Sequence, residues 1–379
     1  MPSNARSPAG SLRKNIRREW MLLAILATCV IFALRGAPLF ARMANSGWLI
    51  FVFAWLFAAV LGSALSVVRH ADFLAERLGQ PAGTLLLTLS VTSIEVMSIS
   101  AVMLHGANNP TLARDTMFSV VMIVLNGMVG LSLLVGGWRY REQQYNLLGA
   151  NAYIGLILPL AVLSMVLPNF TRTIPGPLFS LHQEDFLIVV SVGLYAAFLA
   201  MQTHSHRSYF TSMPEGNRVV AAPQHDAEGE SAWGHGFLLL AYMLPVVFLA
   251  EQLAHPIDYV IETLHEPAAL GGLAMAVLVA TPEAIGAVRA AAVNDLQRAV
   301  NIFLGSVLST IGLTVPAMLL VSHFTGHSLT LGLQAADQIM LILTLAVSVV
   351  TFASGRTNAL QGAVHFFLFL AYILLIVEN

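Results

Sequence analysis

Residues 84–104 read TLLLTLSVTSIEVMSISAVML, an apolar stretch of 21 residues whose only charged side chain is Glu95. A helix of this length, at 1.5 Å per residue, covers the roughly 30 Å hydrocarbon core of a bilayer. Because lipid offers backbone amides and carbonyls no other partners, such a stretch must be helical. The sequence therefore predicts a membrane-spanning helix that carries an acid near its centre.

The same pattern continues along the chain on both sides of this stretch. Of the 379 residues, 57% are hydrophobic and only 10% are charged, which excludes an ordinary soluble globular protein. We predict an all-α polytopic membrane protein of about eleven spanning helices. Their ranges are 20–40, 48–68, 82–104, 116–138, 147–167, 184–203, 236–254, 267–293, 298–322, 335–353 and 358–377.

The basic residues predict the orientation of these helices. With the N-terminus in the cytoplasm, all 18 lysines and arginines except Arg35, Arg42, Arg114 and Arg172 fall on the cytoplasmic side. This asymmetry is the one that cytoplasmic loops show. An odd number of spans then places the C-terminus outside.

A polar interval at 204–235, rich in histidine and acids, divides the chain. It acts either as a solvated linker or as a cytoplasmic sensor of cations or pH. Five predicted helices precede it and five follow it, so the two halves must have opposite orientations, which indicates an inverted repeat. The predicted organisation is a basic N-terminus (1–19), an extra first helix (20–40), a first repeat (48–203), the linker and a second repeat (236–377).

Two acids lie near the middle of predicted spans, where an ionisable side chain is costly and is a functional candidate. Glu95 and Glu283 occupy the second helix of each half. A carboxylic acid in a medium of low dielectric constant favours its protonated form, and an arriving cation favours the ionised form. Binding of either a proton or a cation is the minimum chemistry of an antiporter, provided that the halves expose the site to one side at a time. The alternative is a structural acid that bonds to a neighbouring helix.

Further oxygen ligands can come from polar groups near these acids. Pro282 has no amide hydrogen, so the Leu278 carbonyl loses its helical donor beside Glu283. Hydroxyls in the helix of Glu95, and polar residues in the helix that follows each acid, are further candidates. Bonding to their own helix, or close helix packing, explains the same residues equally well. The candidates are Thr92, Ser98, Ser119, Asn126, Asn301, Ser306, Ser309 and Thr310.

Four segments carry a resemblance to a known family: ADFLAERLGQPAG (71–83), GGWRYREQQYN (136–146), GSVLSTIGLTVP (305–316) and SGRTNALQG (354–362). They resemble the calcium/cation antiporter superfamily, specifically the calcium/proton exchangers of the bacterial ChaA type. The resemblance implies two inverted five-helix repeats plus an extra helix in a bacterial inner membrane, exchanging cytoplasmic Ca²⁺, Na⁺ or K⁺ for protons.

The resemblance also implies roles for individual residues. The essential acids that bind the cation match Glu95 and Glu283, and the polar lining matches Ser306, Ser309 and, more loosely, Ser119. Asp72 matches an acid at the cytoplasmic mouth, although a solvated loop charge near Arg69 and Arg77 explains it as well. No cofactor and no nucleic acid are implied.

The chain departs from the family pattern where many members have Gly-Asn before each acid. Val91-Thr92 and Val279-Ala280 stand there instead, so two amide oxygens are absent. Because Ca²⁺ takes six to eight oxygens, this leaves Na⁺ or K⁺ open as the preferred ion. A cation channel and a membrane-embedded enzyme are the alternatives. The standard hydrolase, zincin and phosphate-loop motifs are absent from the sequence, so we do not expect an enzyme.

Overall fold

The computed structural model describes residues 19–79, 82–105, 110–211 and 232–378, and these ranges are almost entirely helical. Within these ranges ten helices are long and apolar enough to cross a membrane, and an eleventh, Ala335–Thr351, is a shorter apolar helix. The all-α fold and the number of predicted helices are therefore confirmed. The helices are α1 Trp20–Phe40, α2 Ser46–Leu78, α3 Ala82–His105, α4 Leu112–Tyr140, α5 Leu147–Asn169, α6 Leu181–Ser205, α7 Ala232–Thr263, α8 Ala268–Ala292, α9 Leu296–Thr325, α10 Ala335–Thr351 and α11 Ala359–Glu378.

Two helices run well past their predicted apolar ranges. Helix α2 continues from residue 68 to Leu78 and ends where Gly79 adopts a φ of 64°. Helix α7 continues from residue 254 to Thr263. The residues that extend α2 beyond residue 68 are rich in Ala, Leu, Glu and Arg, which favour helix whether or not lipid surrounds them. Of the predicted linker 204–235, residues 212–231 lie outside the described residues, as does the N-terminus before Glu19.

Hydrogen bonds between connections define the two ends of the bundle. Strand β1 (Glu142–Gln144), after α4, pairs antiparallel with β2 (Arg356–Asn358), before α11. The Gln143 amide donates to the Ala291 carbonyl (2.9 Å) at the end of α8. We call this end of the bundle the strand face. At the opposite end, which we call the loop face, the amide of Thr330 donates to the carbonyl of Pro110 (3.0 Å). Successive connections thus alternate between two faces, as they must in a chain that crosses a membrane repeatedly.

The buried side chains form two hydrophobic cores. Apart from Leu112, one core is built from α1, α2 and α7 with parts of α3 and α8. The other is built from α4, α5, α6, α9, α10 and α11, again with parts of α3 and α8. The two helices that carry the acids therefore lie between the cores and contribute to both.

The division into two inverted repeats, 48–203 and 236–377, stays a prediction. Two features fit it. Helices α3 and α8, the second of each half, share the position between the cores. Helices α4 and α9, the third of each half, both contain a π-helical stretch, at Ile123–Met128 and Thr310–Thr314.

Close packing of α4 against α11 depends on glycine. A methyl group on Gly137 would lie 2.4 Å from the backbone nitrogen of Ala359, so Gly137→Ala should force the helices apart. We expect a loss of about 1–3 kcal/mol of stability, the usual result of overpacking, seen as a lower unfolding temperature of the purified protein. Gly155→Ala is the control, because nothing lies within 4 Å of its added methyl group. Equal unfolding temperatures for the two variants would contradict this packing argument.

Candidate cation and proton site

Glu95 is held from two sides by threonines of another helix. The Thr310 hydroxyl donates to Oε1 of Glu95 (3.0 Å) and the Thr314 hydroxyl donates to Oε2 (2.8 Å). Glu95 is only 2% exposed. Each carboxylate oxygen therefore has its own hydrogen-bond donor, and the carboxylate lies inside the protein, away from its surface.

Glu283 lies nearby in a more open position. The Ser306 hydroxyl donates to Oε2 of Glu283, and the Glu283 side chain is partly exposed. Ser306 and Thr310, which donate to Glu283 and Glu95, are one turn apart on the same helix, so the two carboxylates lie at neighbouring positions. Two acids that approach each other in a buried site cannot both stay ionised without a cation or a proton between them.

Helix α9 presents all three of these donors on one face. Ser306, Thr310 and Thr314 are spaced four residues apart, which places them along one side of the helix. The stretch Thr310–Thr314 is π-helical, and short π-helical stretches are common at functional sites. One helix therefore supplies the hydroxyl partners of both acids.

Two hydroxyls beside Glu95 have no hydrogen-bond partner among the described residues. Thr92 and Ser98 are three residues before and after Glu95, and both are buried. Buried polar atoms are normally satisfied, so each unpaired one requires an explanation. Their position on the face of Glu95 makes them available as ligands for a cation bound to the carboxylate.

Four other predicted ligands bond elsewhere, among them Asn301, whose amide donates to the Phe210 carbonyl (2.6 Å). The hydroxyls of Ser119 and Tyr372 bond to each other, and the Ser309 hydroxyl donates to the Ser306 carbonyl (2.9 Å). The Asn126 amide donates to Thr344 (2.8 Å), and its oxygen faces His365 (3.3 Å). These polar atoms are engaged in helix contacts, and none of these bonds reaches a carboxylate of the site.

Leu278 and Asp72 are the other two residues that the sequence predicts for the site. Leu278 is buried in the core of α1, α2 and α7, and α8 continues as one helix through Pro282. Pro282 provides no amide hydrogen to the Leu278 carbonyl, which fits the loss of a helical donor that the sequence predicts. Asp72 is exposed at the strand face, where its charge interacts with Arg298 and Glu76. That position fits both interpretations of Asp72, as an acid at the cytoplasmic mouth of the transport path and as a solvated charge.

The sequence indicates Thr310 only as one of several polar residues in its helix and does not single out Thr314. Their spacing of four residues from Ser306 was the signal that would have found them. No group of three or more His, Cys, Asp or Glu side chains with metal-binding geometry occurs in the part of the chain that the structure describes. The assembled site consists of two carboxylates and several hydroxyls.

Comparison with known proteins identifies relatives along nearly the whole chain. The family model described as "Sodium/calcium exchanger protein" matches residues 48–204 and 235–377. The "Sodium-potassium/proton antiporter ChaA" of Escherichia coli (strain K12) is 39% identical over 318 residues, which cover 84% of this chain and 86% of the relative. The "Putative ionic transporter y4hA" of Sinorhizobium fredii is 41% identical over 357 residues, covering 94% and 95%.

A solved structure has the same fold. The Ca²⁺/H⁺ antiporter YfkE superposes with a TM-score of 0.72 at 19% identity, covering 95% of this chain and 98% of that one. At this identity the match concerns the arrangement of helices alone.

Proposed function

The chain belongs to the sodium/calcium exchanger family, and from that premise we propose that it is a secondary active cation/proton antiporter that exports cations from the cytoplasm in exchange for protons. The names of the relatives support this proposal, because ChaA is a sodium-potassium/proton antiporter and YfkE a Ca²⁺/H⁺ antiporter.

The observation that carries the proposal is the convergence of Glu95 and Glu283 on one face of α9. Each acid accepts hydroxyl hydrogen bonds there, and the two carboxylates lie at neighbouring positions. A proton neutralises one carboxylate, whereas a cation between them stabilises both in the ionised form. Protons and cations therefore compete for the same oxygens, and the site carries one or the other.

The two cores suggest how the site changes access. Helices α3 and α8 lie between the core of α1, α2 and α7 and the core of the other helices. A rigid-body movement of one core past the other changes which face of the membrane the acids can reach. We propose this movement as the alternating-access step, with Glu95 and Glu283 as the sites of binding.

Sodium and potassium are the cations that we propose as principal substrates, with Ca²⁺ as a further one. The amide oxygens that many family members place before each acid are replaced by Val91-Thr92 and Val279-Ala280. Neutral hydroxyls from Thr92 and Ser98 stand beside Glu95 instead. Because Ca²⁺ usually takes six to eight oxygens, the absence of two amide oxygens weakens the site for Ca²⁺ more than for a monovalent ion.

We assign the strand face to the cytoplasm of a bacterial cell with this protein in its inner membrane. The predicted cytoplasmic arginines, among them Arg139, Arg141 and Arg356, lie at or beside the two strands. Of the four predicted outside, Arg114 is paired with Asp115 at 2.7 Å and is buried. The positive charge available to the cytoplasmic surface is therefore concentrated at the strand face.

Proton movement in everted membrane vesicles tests the function. Respiration acidifies the vesicles, and Na⁺, K⁺ and Ca²⁺ are added separately while a pH-sensitive dye reports the proton gradient. We expect Na⁺ and K⁺ to release protons, Ca²⁺ to do so less, and vesicles that lack the protein to show no response. No response to any of the three would contradict the assigned substrates.

A cation channel is the alternative that this assay must separate. An imposed proton gradient should drive uphill cation accumulation by an antiporter even when valinomycin and K⁺ clamp the membrane potential, with Na⁺ as the test ion. A channel dissipates the Na⁺ gradient whether or not a proton gradient is present. Cation flux that ignores the proton gradient would replace antiport by conduction.

A further inference from the structure

Two histidines from different helices meet at the strand face, away from Glu95 and Glu283. Nδ1 of His70, in α2, lies 2.9 Å from Nδ1 of His235, in the first turn of α7. His70 is 1% exposed, and the His235 ring stacks on Phe73 with centroids 3.7 Å apart. The contact joins α2 to α7 within the core that these helices share with α1.

Charged groups surround the histidine pair. Glu19, just before α1, accepts hydrogen bonds from Arg69 (2.8 Å) and from the Tyr242 hydroxyl (2.8 Å). Burial opposes its ionisation, but the Tyr242 hydroxyl and the Arg69 charge outweigh burial and hold the pKa of Glu19 below its usual range. Its carboxylate lies 3.6 Å from Nε2 of His70. An ionised acid therefore stands next to the pair.

The neighbours of His70 fix where its proton is. Arg69 lies 3.2 Å from Nε2 of His70, and an arginine can only donate, so this nitrogen is the acceptor. The proton of neutral His70 must then be on Nδ1, which donates to Nδ1 of His235. His235 in turn carries its proton on Nε2. The contact between the rings thus contains a single shared proton.

We propose that His70 and His235 form a regulatory proton-binding site that senses the pH at the strand face. A first additional proton goes to Nε2 of His70, where it faces Glu19 and displaces Arg69. A second goes to Nδ1 of His235 and places two N–H groups against each other, which breaks the contact. The charged and titratable groups that face the pair include Glu19 of the segment before α1, Arg69 of α2 and Tyr242 of α7.

The expected consequence is that α1, α2 and α7 pack less firmly against one another at low pH. The shared proton can no longer join α2 to α7, and the Arg69–Glu19 bond that joins α2 to α1 competes with a charged His70. Burial of His70 and the neighbouring Arg69 charge both disfavour the charged imidazole, so the pair takes up additional protons only under acid conditions. We infer further that low pH at the strand face slows exchange, because the core of α1, α2 and α7 no longer moves as one rigid body. This step rests on the proposed function.

Stability against pH tests the proton site without reference to transport. The unfolded chain binds more protons at these two residues than the folded pair permits, so stability falls as pH falls. We expect the unfolding temperature of wild type to drop between pH 7.5 and 5.5, and the drop to be smaller in His70→Gln/His235→Gln. His182→Gln, at an exposed position in α6, is the matched control and should follow wild type. An undiminished drop in the double variant would overturn the site.

The single variant His235→Gln keeps the test decisive if the buried His70 cannot be replaced without loss of folding. A Gln at 235 retains a hydrogen-bonding group but has no titration, so it should also reduce the drop. An undiminished drop in a folded His235→Gln protein would likewise overturn the site.

Exchange in proteoliposomes tests the regulation. With the pH varied only at the strand face, wild type should slow on acidification and His235→Gln should slow less. An identical decline in both would overturn the regulatory role, whereas the stability measurement would still decide the proton site. Absence of exchange in wild type would contradict the proposed function and leave the stability test unaffected.

Discussion

Replacing Glu95 by Gln is expected to abolish cation-driven proton release, and replacing Glu283 by Gln is expected to do the same. Gln keeps the shape of the side chain, and its single oxygen can still accept one hydroxyl hydrogen bond from α9, but it neither ionises nor releases a proton. In the proposed mechanism the two carboxylates bind the same cation, so the loss of either removes both a charge that binds the cation and one of the competing protons. We expect activity at the background of vesicles without the protein.

The measurement is the dye response in everted vesicles, with equal amounts of each variant in the membrane and gel filtration and unfolding temperature as checks of folding. Glu142→Gln is the matched control, because this substitution makes the same acid-to-amide change at an exposed position in β1. It should retain exchange. Full exchange by Glu95→Gln or Glu283→Gln would remove that residue from the mechanism.

The sequence was sufficient to predict these two acids because their signal is local. An acid in the middle of an apolar helix is costly wherever that helix packs, so Glu95 and Glu283 are candidates before any tertiary contact is known. The same reasoning predicts the helical fold, because a spanning segment has few alternatives to helix. Both predictions depend on the solvent around the helix more than on its neighbours.

Which hydroxyl bonds to which acid could not be predicted in this way. Thr310 and Thr314 bond to a residue more than 200 positions earlier in the chain, and the helical pattern shows which face they share but not which helix that face meets. Ser119 and Asn126 show the opposite case. Their polar faces suggested the site, yet they bond to α10 and α11. Periodicity specifies a face, and only packing specifies its neighbour.

The contact between His70 and His235 is a further example, since 165 positions separate the two residues. The sequence drew attention to His235 through the histidine-rich interval 204–235. It gave no reason to connect that interval to α2. The end of α2 beyond residue 68 was itself missed, because the turn that carries His70 and Asp72 is too polar to count as a membrane span.

Replacing Thr310 and Thr314 by Val is expected to move the pH dependence of exchange towards alkaline pH. Hydroxyls that donate to a carboxylate stabilise its ionised form, and both donors of Glu95 are lost in this variant. A hydrogen bond to a charged group contributes about 1.5–3 kcal/mol, which corresponds to a shift of about 1–2 pH units for each bond that is lost. At neutral pH the proton then binds too well for the cation to displace it, and apparent cation affinity falls.

The measurement is the apparent affinity for Na⁺ from dye responses at several pH values between 6.5 and 9. Affinity should be lost at neutral pH and recovered at alkaline pH, which separates this effect from a damaged site. Thr314→Ser is the control, because Ser retains the hydroxyl and should keep most of the wild-type profile. A valine variant that loses affinity equally at every pH would show that the threonines bind the cation directly and do not act through the ionisation of Glu95. An unchanged profile would show that the two hydrogen bonds contribute nothing to the competition between proton and cation.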